Sequence, residues 1–224
     1  MHWAAGRDDV LTVVGDVSTE AINVAAVDSA LRGWGRLDVA ILNAGTVGSP
    51  GLEADGAMER FDEVLAVNLR SVVLGIRCAA PAIRETGTEG AIVATASTSG
   101  LGGDPGNWAY NASKAGIINL VRAAAIDYAI QGIRVNAVAP GPTDAGMTQG
   151  LQRMPDLHRA MARRVPMQRW GTACEIVEAM WFLASPAASF ITGITLAVDG
   201  GLSASAGHFD LPSNPNSSGT RVPQ

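Results

Sequence analysis

Five short apolar, β-branched runs punctuate this chain at regular intervals: Val10–Val17, Leu37–Ala44, Ala91–Ser97, Ile133–Ala139 and Ile194–Asp199. Longer stretches with helical spacing separate them, near 18–34, 57–85, 108–131 and 172–185. A strand that is apolar on both faces needs cover on both faces, and the intervening helices supply it. The pattern predicts a doubly wound parallel α/β sheet of the Rossmann-like kind. At 224 residues, 47% hydrophobic and 17% charged, the chain is long and apolar enough for one domain with a substantial core. We expect that domain over 1–204. The remainder, 205–224, is rich in Ser, Gly, Pro and Asn and is expected to be a disordered tail.

Charge and motif content narrow the function. A net charge of −5 argues against nucleic acid or an anionic membrane as partner. No apolar stretch is read as a transmembrane helix, and the opening residues lack a signal-peptide pattern, so a cytoplasmic protein is expected. Cys78 and Cys174 match no metal or disulfide spacing and are expected to pack in apolar helical surroundings. His2, His158 and His208 are too scattered to suggest a metal site.

The chemistry concentrates in one run. Tyr110 lies thirteen positions after Ser97, and Lys114 follows Tyr110 by four. On a helix, Tyr110 and Lys114 share one face, a turn apart. An ammonium there favours the phenolate and is expected to pull the Tyr110 pKa from about 10 toward neutrality. A serine hydroxyl alongside could hold a carbonyl or alcohol oxygen. The grouping reads as proton transfer at a carbon–oxygen bond. Thr98 and Ser99 flank Ser97, but the spacing and the Ser-x-x-Gly pattern ending at Gly100 select Ser97. Asn68 interrupts the apolar stripe of Phe61, Leu65, Val72 and Ile76 on the 57–85 helix, and a buried amide there needs partners.

Ser97, Tyr110 and Lys114 resemble the Ser–Tyr–Lys triad of the short-chain dehydrogenase/reductase family, in its single-domain branch. Asp16-Val17, Asn43-Ala44-Gly45, Asn68, Pro140-Gly141 and Val198-Asp199-Gly200-Gly201 fall in the family's order. The resemblance implies an NAD- or NADP-dependent oxidoreductase that interconverts a secondary alcohol and a ketone. Tyr110 would be the general acid/base, Ser97 would orient the substrate oxygen, and Lys114 would tune Tyr110 and bond the nicotinamide ribose. Asn68 would kink its helix and hold a water in a proton relay. Asp16 and Val17 resemble the adenine-contacting pair, although an aspartate capping the next helix is the plainer alternative. Asn43, Ala44 and Gly45 would let the backbone approach the cofactor ribose. Pro140, Gly141 and Thr143 resemble the nicotinamide-side loop, but Thr143 and Ala145 depart from the usual aliphatic residue and threonine there. Leu42 stands where the family usually shows a second asparagine.

The resemblance also implies a small-molecule alcohol or ketone substrate and a homotetramer or homodimer formed through the helices at 57–85 and 108–131. Val72, Val73 and Ile76 fit such an interface. The 98–108 loop and a 143–166 lid would select the substrate, with Trp108, Met147 and Leu151 giving an apolar lining. No glycine-rich dinucleotide turn is found, and the family's first strand, first helix and second strand have no counterpart. The expectation is a natural chain that starts upstream. In the family's strand order 3-2-1-4-5-6-7, that absence would part Val10–Val17 from the sheet and leave an apolar edge unpaired. The alternative is a non-catalytic subunit that oligomerises without binding dinucleotide. A dehydratase or epimerase on the same Tyr–Lys pair is disfavoured, because those relatives carry a long C-terminal domain.

Overall fold

A computed structural model of the chain describes residues 9–87, 89–206 and 211. Four parallel strands, β1 (Val39–Leu42), β2 (Gly90–Thr95), β3 (Ile133–Pro140) and β6 (Thr195–Val198), form the sheet in the order β1-β2-β3-β6. A two-residue ladder joins β4 (Thr143–Asp144) to β5 (Gly171–Thr172). The helices are α1 (Glu20–Trp34), α2 (Ala57–Leu65), α3 (Ser71–Glu85), α4 (Thr98–Leu101), α5 (Trp108–Ala129), α6 (Gln149–Gln152), α7 (Pro155–Ala162) and α8 (Ala173–Ala184). A π-helical turn, Ala66–Arg70, links α2 to α3 without a break.

Strand periodicity divides the core into two layers. Ile92 and Ala94 of β2, with Ile133, Val135, Ala137 and Ala139 of β3, face Val72, Ile76, Ile117 and Val121 of α3 and α5. Val93 and Val138 point the other way, onto Ile176, Met180 and Leu183 of α8. Each fully buried side chain of this size contributes about 2 kcal/mol through burial.

The segment 10–17, expected as a strand, forms none. Strands need ladder partners, and no described strand lies beside it; Val14 is 70% exposed. The outer edge of β1 likewise pairs with no described strand. Ala40 and Leu42 pack on the α3/α5 layer, whereas Val39 and Ile41 are exposed on the opposite face. They line an open cavity of about 520 Å³ with Val177, Met180 and Trp181 of α8.

Three further expectations change. The helix Ala57–Glu85 is long and apolar enough to cross a bilayer, contrary to the sequence reading, but half of its most apolar 18 residues is buried inside this fold. Val72 and Ile76, expected at a subunit interface, belong to the core, and of the three only Val73 is exposed. Cys174, expected to pack, is exposed, while Cys78 is half-buried. The expected tail lies largely outside the described residues.

Candidate active site

The C-terminal ends of β1, β2 and β3 bring most of the singled-out residues together, the usual ligand edge of an open parallel sheet. Ser97 follows β2 and caps α4: its backbone is extended, and its Oγ accepts the Ser99 backbone N–H at 3.1 Å. A β-carbon on Gly100 would lie 2.6 Å from the Lys114 carbonyl carbon and 2.8 Å from the Ala115 nitrogen. Only glycine lets α4 rest on the α5 backbone, which sets Ser97 beside the Tyr110 turn. Ser97 stands close enough to the Tyr110 oxygen to offer it a hydrogen bond that favours the phenolate.

Lys114 is 2% exposed, and its Nζ donates to the Thr95 carbonyl oxygen at 2.7 Å. Nζ also lies 5.5 Å from the centroid of the Tyr110 ring. Burial lowers the Lys114 pKa to about 8. Tyr110 moves the opposite way to the expectation. Burial raises its pKa, the Ser97 hydrogen bond counters this, and the Asp104 carboxylate adds to the rise. Desolvation of the phenolate is the largest of these effects.

Asn68 sits fully buried in the π turn. Its Oδ1 accepts the Thr46 N–H at 2.7 Å, and its Nδ2 donates to the Thr46 carbonyl at 2.9 Å and to Ser113 Oγ at 3.0 Å. The amide therefore clamps the backbone just after Asn43-Ala44-Gly45. Asn43 Oδ1 accepts from Thr95 Oγ1 at 2.8 Å, while Asn43 and Ala44 themselves are exposed. A β-carbon on Gly45 would lie 3.4 Å from Asn68 Oδ1, 3.7 Å from Lys114 Nζ and 3.8 Å from Met147 Cε. The missing side chain thus keeps the space before the ammonium open, and only one of its three N–H donors has an acceptor among the described residues.

On the third strand, Gly141 follows Pro140 and abuts Asp199, whose Cα would be 2.8 Å from an added β-carbon. The Asp199 carboxylate accepts the Gly201 and Ser203 N–H groups at 2.9 and 2.8 Å. Burial opposes its charge, but these hydrogen bonds hold its pKa below the usual carboxylate value. Buried Thr143 donates its hydroxyl to the Gly141 carbonyl at 2.9 Å. Thr148 Oγ1 in turn accepts the Ala145 N–H at 3.1 Å and lies 2.6 Å from the Thr143 carbonyl, fastening the start of the 146–166 segment.

Asp16 stands apart from this group. Its Oδ1 accepts the Ser18 N–H at 2.9 Å in a turn ahead of α1, with Val17 beside it, and Arg70 donates to the Ser18 carbonyl. The helix-capping alternative does not describe that geometry: the N-cap of α1 is Thr19, and the Asp16 carboxylate closes a turn just before it. Trp108, expected to line a substrate site, stacks on Phe61 with ring centroids 5.4 Å apart and donates to the Pro50 carbonyl at 2.8 Å. Sequence reasoning missed Thr46 and Thr95, whose backbone groups hold Asn68 and Lys114 and leave no side-chain signal for it. It also missed Asp104, whose carboxylate accepts from Ser99 Oγ at 2.5 Å.

Known proteins resemble this arrangement. The family described as Enoyl-(Acyl carrier protein) reductase matches residues 2–203. The chain is 38% identical to 2-(R)-hydroxypropyl-CoM dehydrogenase of Xanthobacter autotrophicus, over 91% of this chain and 82% of that protein. It is 41% identical to cis-4-hydroxycyclohexanecarboxylate dehydrogenase of Sinomonas cyclohexanicum, over 90% of this chain and 84% of the relative. Among solved structures, levodione reductase superposes with a TM-score of 0.82 at 35% identity, covering 87% of this chain and 78% of its own. A gluconate 5-dehydrogenase from Burkholderia cenocepacia, in complex with NADP and tartrate, gives 0.80 at 30% identity, covering 86% and 74%.

Proposed function

The chain belongs to the short-chain dehydrogenase/reductase family, and from that membership and the site geometry we propose that Tyr110 exchanges the proton of its reaction. The protein is an NAD(P)(H)-dependent oxidoreductase that interconverts an alcohol and a ketone. The observation that carries the proposed roles is the Tyr110 hydroxyl within hydrogen-bond reach of Ser97, on the helix that buries Lys114 one turn away.

The residues fit the nicotinamide–ribose half of a dinucleotide. Gly45 leaves open the space that Lys114 Nζ borders, and Asn43, Ala44, Pro140, Gly141 and Thr143 surround the same strand ends. Asp16 and Val17 remain the proposed adenine-side pair. When bound, the nicotinamide supplies the hydride acceptor for oxidation or the donor for reduction.

In the reducing direction, Tyr110 gives its phenolic proton to the carbonyl oxygen as the carbon is reduced; in oxidation it receives the proton of the alcohol. Ser97 donates a hydrogen bond to the same oxygen and orients it. Lys114, charged, opposes the cost of the buried phenolate, its Nζ lying 5.5 Å from the Tyr110 ring centroid. Asn68 acts through Thr46, holding Gly45 in place. Substrate choice falls to Met147 and Leu151. A homodimer or homotetramer through α3 and α5 is supported by exposed Val73, Ile126 and Ile130.

Titration of NADH and NADPH separately into the purified chain, followed by nicotinamide fluorescence, tests the reading. Saturable binding, then turnover of a secondary alcohol or ketone that Tyr110→Phe abolishes, supports it. A folded chain that binds neither cofactor overturns it in favour of the non-catalytic alternative.

A further inference from the structure

A chain of hydroxyls leads from Tyr110 to the protein surface. Tyr110 lies within hydrogen-bond reach of Ser97; Ser97 Oγ lies 3.2 Å from Ser99 Oγ; Ser99 Oγ lies 2.5 Å from Asp104 Oδ2. Ser97 and Ser99 are 7% and 8% exposed, so water does not stand in for these partners, while Asp104 is exposed. The loop bearing Asp104 is itself tied to α5, because Asn111 Nδ2 donates to the Asp104 carbonyl at 2.9 Å.

Counting donors fixes the direction of the bonds beyond Ser97. A carboxylate only accepts, so Ser99 commits its one proton to Asp104. Ser99 Oγ can then only accept from Ser97, which commits the one proton of Ser97. Ser97 Oγ already accepts the Ser99 N–H, and its own proton is turned to Ser99 Oγ. We infer that Ser99 and Asp104 are positioning residues, which hold the Ser97 proton turned away from Tyr110 until a substrate oxygen arrives.

The consequence is directional. Ser97 favours the phenolate only by giving it a proton, and in this arrangement that proton is given to Ser99. Forming the phenolate, or engaging a substrate oxygen, requires Ser97 to leave Ser99 and turn its proton inward. The charged groups facing Tyr110 are Lys114, from its own helix, and Asp104, from the preceding loop. Asp104 thus acts twice, by its charge and by anchoring the hydroxyl chain.

The inference deepens the proposed function and rests on it, but its test needs no turnover. The chain has two tyrosines, Tyr110 and Tyr128. Titration of phenolate absorbance in ligand-free protein carrying Tyr128→Phe therefore reports Tyr110 alone. Ser99→Ala leaves the Asp104 charge in place and frees the Ser97 proton; the Tyr110 midpoint should fall by about half a pH unit or more. Ser99→Cys, near in size with a weak sulfur acceptor, should do the same, and it decides the matter if the alanine variant does not fold. Ser99→Thr, which keeps the hydroxyl, should titrate as the parent does. Asp104→Asn should lower the midpoint as well. A fall in Asp104→Asn with none in the Ser99 variants leaves only through-space charge and overturns the chain, as does an unmoved midpoint in all of them. Retained turnover in Tyr110→Phe would instead sink the proposed function, whatever the titration shows.

Discussion

Gly100 packs directly on the backbone of Lys114: a β-carbon at Gly100 would come within 2.6 Å of the Lys114 carbonyl carbon. The contact is backbone to backbone, so no rotamer change relieves it. Gly100→Ala should push α4 off α5, at a cost of about 1–3 kcal/mol typical of overpacking. Because Ser97 caps α4, the same shift should separate Ser97 from Tyr110. Calorimetry should show a lower Tm, and kcat should fall with cofactor affinity largely retained. A variant with unchanged kcat would show that α4 placement does not govern the Ser97 hydroxyl.

Tyr110→Phe keeps the ring, its packing and its distance from Lys114 but removes the only proposed proton donor. Loss of general acid/base catalysis costs about 10²–10⁴-fold in rate. That loss should appear in kcat, with NADH or NADPH binding close to the parent's. A drop confined to KM would assign Tyr110 to binding alone.

Local spacing carried most of the fold. The continuous apolar runs of β2 and β3 and the helical spacing of 108–131 both follow from which side chains need burial, and the structure places them within a few residues of the expected bounds. The strand expected at 10–17 did not form because a strand needs a neighbour and no described strand lies beside it, a separation already legible in the sequence. Within the site, Ser97, Tyr110, Lys114 and Asn68 were legible because their spacings are short or fall on one helix face. Asp104 was not, since its role depends on a loop folding back over α4. The direction of the Tyr110 shift was misjudged for the same reason: i, i+4 spacing shows the ammonium, not the burial that raises the pKa.

Lys114 gives stability a pH signature. Its pKa falls from 10.5 in the unfolded chain to about 8 when buried, a penalty of about 3 kcal/mol on the charged form. Below about pH 8 both states carry the proton, and the penalty is fully felt. Between about 8 and 10.5 the folded state has released a proton that the unfolded state keeps, so stability from this group rises with pH. Lys114→Met should therefore be more stable than the parent at pH 7, and that advantage should shrink toward pH 10. Urea unfolding of both chains at the two pH values checks this. A constant difference would mean that the ammonium is not desolvated in the fold.

Asn68→Ala tests whether the buried amide serves the fold, the site, or both. The substitution removes one acceptor and one donor from the Thr46 backbone and a partner from Ser113. Each buried group left unpaired costs about 1–3 kcal/mol, and a π turn without its amide has less to hold it. Urea unfolding should show a loss of that order at least once over. The loop from Asn43 to Thr46 would then be free to move, and Gly45 would no longer keep its place beside Lys114 Nζ. Weaker NADH or NADPH binding should accompany the loss of stability. Asn68→Asp separates the two effects: a carboxylate can still accept from the Thr46 N–H, yet it cannot donate to the Thr46 carbonyl or to Ser113. The aspartate variant should keep more cofactor affinity than the alanine variant, provided the Thr46 N–H bond is what fixes the loop. Equal weakening in both would place the decisive contact at the Thr46 carbonyl instead, and undiminished binding in both would confine Asn68 to the fold.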